Sequence, residues 1–157
     1  SLKVLLDTTL NGGSITNNGI LNFNTLTMNS GSINNFSEIN VSNDVILING
    51  GINAKGKITG RNLIIDKGVV SGDGIAEFTN IISSGTISPG IGINNFGQLN
   101  LIADTTLTSD SIVVIDINSF NINDKLSVEG TLSLEGSLHI NSASNLSTDK
   151  LPSSKTK

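Results

Sequence analysis

Aliphatic residues return along this chain at nearly constant intervals. Ile15, Ile33, Ile52, Val70 and Ile87 follow one another at 18, 19, 18 and 17 residues. Leu10, Met28, Leu47, Ile65 and Ile82 step by the same 18, 19, 18 and 17, and Leu21, Ile39, Ile58 and Ala76 by 18, 19 and 18. All three series take their one-residue insertion at the same place, so they move together as one repeating unit. Inside the unit apolar and polar residues alternate, as in Ile20-Leu21-Asn22-Phe23, Glu38-Ile39-Asn40-Val41 and Leu99-Asn100-Leu101. That is the period of a short strand with one face turned inward. Asn11-Gly12-Gly13, Asn17-Asn18-Gly19, Asn29-Ser30-Gly31, Asn49-Gly50-Gly51 and Ser71-Gly72-Asp73-Gly74 separate the strands with turn formers. Three strands to a unit are predicted.

An antiparallel sandwich or a β-prism-like fold of internal repeats could use such strands, but neither requires the same hydrophobic slot to recur unit after unit. A solenoid does, because coils stacked about 4.8 Å apart drop equivalent side chains into rows. The reading is therefore all-β: a single-stranded parallel β-helix of about 18-residue coils. It becomes less regular toward the C-terminus, where the spacing stretches after Ile87. The rod is expected over residues 1–140, with the polar stretch 141–157 as a tail or linker. Asn17, Asn35 and Asn53, each 18 apart, fall at the turn after one strand of the unit. They are expected to stack as a hydrogen-bonded Asn ladder. The sequons at Asn35, Asn40 and Asn145 then need no glycan to explain them.

Composition agrees with strands and turns: 17 Gly, many Asn and Ser, five Phe, and no Cys, Trp or Tyr. β-Branched residues suit pleated surfaces, and Gly and Asn take the positive φ angles of sharp turns. A single domain is expected at 157 residues. The net charge is −4 and the nine Lys and Arg are scattered, so no patch converges on a phosphate backbone and nucleic acid is not an expected partner. Without Cys there is neither a disulfide nor a thiolate metal site, which leaves the compartment open. Residues 1–6 do not read as a signal peptide, and no apolar run reaches the roughly 18 residues of a membrane helix. Membrane insertion by this segment is not expected, and an exported form would be numbered from a processed or internal residue.

A different pattern begins after Ile87: Ser88-Pro89-Gly90, then Gly97-Gln98-Leu99-Asn100-Leu101, then Thr106-Leu107 through Ile112 to Ile117, then Asp124-Lys125-Leu126-Ser127-Val128-Glu129-Gly130 and Leu134-Glu135-Gly136-Ser137-Leu138-His139-Ile140. Over residues 85–140 this resembles the stretch near the end of passenger domains in the autotransporter family of Gram-negative surface proteins. There the order is SPG, a GxLxV strand, a TL turn, an acidic xI strand and DxLxVxGxxxLxGxLxV. The earlier units are similar to the looser repeats of such passengers and of large bacterial adhesins. The resemblance implies a right-handed parallel β-helix, exported to the cell surface or secreted, serving adhesion, aggregation or as a stalk. Family members continue into an amphipathic membrane barrel, whereas the polar stretch 141–157 has no strands of that kind. The resemblance thus implies a fragment, or another anchor.

Enzymes of this shape set the alternative function, a polysaccharide lyase or tailspike-like protein with a surface carboxylate site. Lyases gather Asp around Ca²⁺ beside an Arg or Lys base, and hydrolases pair carboxylates. Here Arg61 and His139 are the sole Arg and His, about four coils apart. Asp66, Asp73 and Glu77 are expected on different sides of one coil, Arg61 and Asp66 as an ordinary solvated pair, and His139 as a solvent-facing residue of a strand. Gly72-Asp73-Gly74 reads as a tight turn. No catalytic, cofactor-binding or metal-binding residue is assigned, and no enzyme activity and no cofactor are expected. The Thr pairs Thr8-Thr9, Thr25/Thr27 and Thr105-Thr106 have no counterparts near Asp44 and Asn62, so no continuous Thr rank for ice is formed. A tailspike would show aromatic platforms, which this composition lacks. A non-catalytic rod is expected, with a host surface or another copy as partner through its ends or faces.

Overall fold

The computed structural model describes residues 2–3, 6–92, 95–119 and 122–142. All regular structure among them is β, with no helix, and therefore none long and apolar enough to cross a membrane. The strands form one 18-stranded sheet. Its pairings are parallel except for a hairpin at Ile117–Asn123 and an isolated bridge between Gly72 and Gly90.

Apart from that hairpin, each strand pairs not with its neighbour in sequence but with the corresponding strand of the next unit, which sorts the strands into three parallel ladders. The first runs Leu2–Lys3, Ile20–Phe23, Glu38–Val41, Lys57–Thr59, 75–77, 98–102, Lys125–Glu129. The second runs 8–11, 26–30, Asp44–Leu47, Asn62–Ile65, 80–83, 104–107, Leu132–Leu134. The third runs 14–17, 32–35, Gly51–Ala54, Val69–Gly72, Thr86–Pro89, Ile112–Ser119, Ser137–Ser142. Parallel strands need a long crossover between partners. Here the other two strands of the unit are that crossover, and this gives the solenoid-like arrangement.

Alternation decides what each ladder buries. Ile15, Ile33, Ile52, Val70 and Ile87 are consecutive partners, as the spacing predicts, and the row continues through Val113 to Leu138. Leu21, Ile39, Ile58 and Ala76 likewise form one row, extended by Leu101 and Val128. From Ile33 to Ile87 and from Ile39 to Leu101 these residues are buried in one apolar core.

The second ladder departs from expectation at one place. Leu10, Met28, Leu47 and Ile65 stack, but the partner of Ile65 is Ser83 and not Ile82. Ile81 fills the buried slot beside Leu63, so alternation turns Ile82 outward next to Ile64, 44% exposed. Ser83 is left in the core, where its hydroxyl accepts a hydrogen bond from the equally buried Ser111 at 3.2 Å. A row of aliphatics read by spacing alone cannot choose between adjacent isoleucines; packing at Ile81 does.

The Asn ladder is shorter than expected for a related reason. Asn17 and Asn35 are partners and buried, with Asn17 Nδ2 donating to Asn35 Oδ1 at 2.7 Å and to Glu38 O at 2.9 Å. The next step is 19 residues, so Asn35 meets Ala54, while Asn53 falls on the outward side opposite Asn34 and donates to its Oδ1 at 3.3 Å. Asn35, with its amide donating to Lys57 O at 3.0 Å and no exposed surface, has no room for a glycan in the folded chain.

Toward the C-terminus the partners lie farther apart, 25 residues from Ala76 to Leu101 and 27 from Leu101 to Val128. The parallel pairing of the ladders continues across these longer units. Asp124, almost fully buried, ties them together: its Oδ1 accepts the Gly97 N–H and its Oδ2 the Asp116 N–H, both at 2.9 Å. A buried carboxylate requires such partners.

Candidate functional site

The outward face of the stack is a set of polar columns whose members bond along the axis. Asn29 donates to Asn11 at 2.7 Å, Asn40 to Asn22 at 3.3 Å, Thr59 to Asn40 at 3.1 Å, Asn43 to Asn24 at 2.9 Å, and Asn80 to Asn62 at 2.9 Å. Strand spacing of about 4.8 Å brings equal side chains within reach of one another.

Among these columns the chemistry is richest in a groove where the first ladder turns into the second. Val41 and Phe78 fill the inward slots at this corner, but Gly60, between them, carries no side chain. A Cβ there would stand 2.7 Å from the Phe78 ring and 3.0 Å from Asn43 O, so only glycine lets that ring close the floor. The result is an open groove of about 550 Å³, with Ser42, Thr59, Arg61, Glu77 and Thr79 around Val41 and Phe78.

Both charges in its wall are already matched. Arg61 Nε and Nη2 donate to the two oxygens of Asp44 at 3.1 and 3.0 Å, and Asn62 adds a bond to Oδ1 at 2.9 Å. The guanidinium holds the Asp44 carboxyl below its ordinary pKa against a smaller opposing effect of burial, and Asp44 in turn raises that of Arg61. Glu77 pairs with Lys57 at 2.6 Å, both about half exposed.

The expected pairing of Arg61 with Asp66 is therefore corrected to Asp44. Asp66 lies five residues farther along extended chain, about 16 Å away, whereas Asp44, 17 residues back, is beside Arg61 in the preceding unit. The signal was present in the repeat, since a charge one unit away is a neighbour and one at the far end of the same strand is not. Asp66 is exposed after Asn62–Ile65, Asp73 sits in the turn after Val69–Gly72, and Glu77 is on the first ladder. His139 is exposed on the last strand of the third ladder, opposite Val114. The structure brings none of these carboxylates into one cluster, and no group of three His, Cys, Asp or Glu able to hold a metal occurs among the described residues.

Sequence reasoning also passed over Asp104, whose Oδ1 accepts both the N–H and the hydroxyl of Thr131 in the next unit. These bonds hold its carboxyl below the ordinary range.

Because the folded pKa of Asp44 is depressed, its stabilisation is present above the unfolded value and is lost as pH falls through the folded one. Arg61→Ala should lower the urea midpoint slightly at neutral pH. The difference from the parent should vanish below the carboxylate range. A difference unchanged down to strong acid would mean that the ion pair is not its source. Comparison with protein-family models, with curated proteins and with solved structures finds no match to this chain.

Proposed function

We propose that the chain is a right-handed parallel β-helix of about 18-residue coils, and that it serves as a non-catalytic rod of an exported bacterial surface protein, in adhesion, aggregation or as a stalk. The observation that carries this reading is the continuity of three inward rows from rung to rung of the ladders, from Leu10 to Leu134, from Ile15 to Leu138 and from Leu21 to Val128. A stack held only by neighbour contacts is stiff along one axis and presents long, regular faces, the geometry of a spacer or an adhesive surface. At about 4.8 Å per rung the two longer rows span about 30 Å. The polar columns support the same reading, because their side chains are committed to one another along the axis.

The corner groove, with Glu77 and Arg61 in its wall, favours the second reading, a carbohydrate-active surface. Hydrolysis between two carboxylates needs them within about 10 Å on either side of the bond, and the groove's lining includes Glu77 as its single carboxylate. Incubation with a panel of neutral and acidic polysaccharides, with and without Ca²⁺, should give no turnover. Turnover that disappears in Glu77→Gln would replace the rod with an enzyme. Surface proteolysis of cells expressing the full reading frame tests display: release of this segment from intact cells is expected, and protection until lysis would remove the export part of the proposal.

A further inference from the structure

The one-residue insertion shared by all three hydrophobic series has a definite place in the fold. Asn22 to Asn40 is a step of 18 residues and Leu26 to Val45 a step of 19, so the extra residue of that unit lies between Asn40 and Val45. Asn40 to Thr59 and Val45 to Leu63 then step by 19 and 18, so the next unit is short again at the same corner. The ladders do not need the extra residue, since they pair in register on both sides of it. What it lengthens is the lip of the corner groove, where Ser42 is exposed. Below that lip Gly60 sets no side chain between Val41 and Phe78, which are two rungs, about 10 Å, apart.

We propose that this corner binds a neutral glycan, one stretch of which lies across the groove against Val41 and the Phe78 ring. The inference rests on the reading of the rod as a non-catalytic adhesive surface and gives that surface a ligand class. The groove's volume, about 550 Å³, is within the range of about 300–1,000 Å³ that small-ligand sites occupy. Its rim offers donors and acceptors together. Asp44 takes Nε and Nη2 of Arg61 and leaves Nη1 to donate, while Lys57 meets Oε2 of Glu77 and leaves Oε1 to accept. Thr59 Oγ1 donates to Asn40 Oδ1 at 3.1 Å and can still accept, and the hydroxyls of the exposed Ser42 and Thr79 can do both. Sugar hydroxyls also donate and accept, so they suit such a rim. Other ligand classes fit less well. The two ion pairs cancel, so an anion would have to draw Arg61 away from Asp44. The strands on either side are paired along both edges, which leaves no ladder for an extended peptide to join. An apolar ligand would strand the charged and hydroxyl groups of the rim without water.

Amide NMR of the isotope-labelled chain, titrated with cellohexaose, maltohexaose, mannohexaose and a galacturonic acid oligomer, tests it. At least one neutral oligosaccharide should shift the Gly60, Arg61 and Thr79 signals saturably, and the galacturonic acid oligomer should not. Ser42→Ala and Thr79→Val should each weaken binding roughly threefold. Asp66→Asn, exposed at another corner, should leave it unchanged. Gly60→Ala, whose Cβ would press on the Phe78 ring, should abolish it. Circular dichroism checks that each variant keeps the fold, and the two rim variants carry the test if Gly60→Ala does not. No saturable shift with any neutral oligosaccharide would overturn the inference and leave the rod reading standing. So would binding that ignores both rim variants, or a preference for the galacturonic acid oligomer. Shortening of the oligosaccharide in the same samples would overturn both the inference and the non-catalytic rod.

Discussion

Ile52→Asp will leave the chain largely unfolded in water at neutral pH. Ile52 is 2% exposed, sits mid-row between Ile33 and Val70, and has apolar neighbours from all three ladders in the same core. A carboxylate in that slot would have no cation and no free N–H to receive it, since the backbone donors around it are spent in the parallel ladders. Burying an unpaired charge costs more than losing the isoleucine, which alone is about 2–5 kcal/mol. Against a total stability of about 5–15 kcal/mol the sum removes most or all of the folded population. Urea unfolding followed by far-UV circular dichroism measures it. Ile82→Asp is the matched comparison: the same change on an outward strand position should cost about 1 kcal/mol or less. Equal midpoints for the two variants would mean that the inward rows do not hold the core.

Gly72→Ala should cost about 3 kcal/mol or more, although it adds one methyl group. Gly72 has φ +118°, a region that L side chains avoid, and a Cβ there would lie 2.2 Å from Ala54 O and 2.7 Å from Ala54 C. Backbone on both sides fixes the site. Gly72 N–H donates to Gly90 O at 2.8 Å and Gly90 N–H to Gly72 O at 2.7 Å, so a shift that relieved the clash would break the bridge that starts the 90–97 corner. Gly12→Ala is the contrast, because its Cβ would meet nothing within 4 Å. It should change stability by less than about 1 kcal/mol, with its sign set by the unfolded chain's loss of freedom. Thermal unfolding of the two variants side by side decides the point. A Gly72→Ala protein as stable as Gly12→Ala would show that the rungs are not packed at backbone contact.

Sequence alone determined the period, the strand composition and two of the three inward rows, because a stacked fold forces equivalent side chains into contact and so writes its own spacing into the chain. Ile15 to Ile87 and Leu21 to Ala76 stood in register for that reason. Spacing failed where a second property had to choose between adjacent residues. Ile81 and Ile82 have the same chemistry, and only the partner across the ladder, Leu63 with its buried slot, sends one in and the other out. Asn53 continued an 18-residue count across a 19-residue step, so it missed the buried slot that Ala54 occupies by one position and faced outward.

The corner groove was not legible because it arises from a missing side chain, Gly60, set between Val41 and Phe78 that lie about one unit before and after it. Nor was the partner of Arg61: nearness along the chain suggested Asp66, but an extended strand carries five residues across about 16 Å while the next rung is only about 4.8 Å away. The insertions near the C-terminus hid the later partners for the same reason. Once residues 90–92 and 95–97 stand between Thr86–Pro89 and Gln98–Leu107, the count no longer keeps step. There the register is held by the strand pairings themselves, and the buried Asp124 side chain, accepting from Gly97 on one side and Asp116 on the other, ties the longer units together.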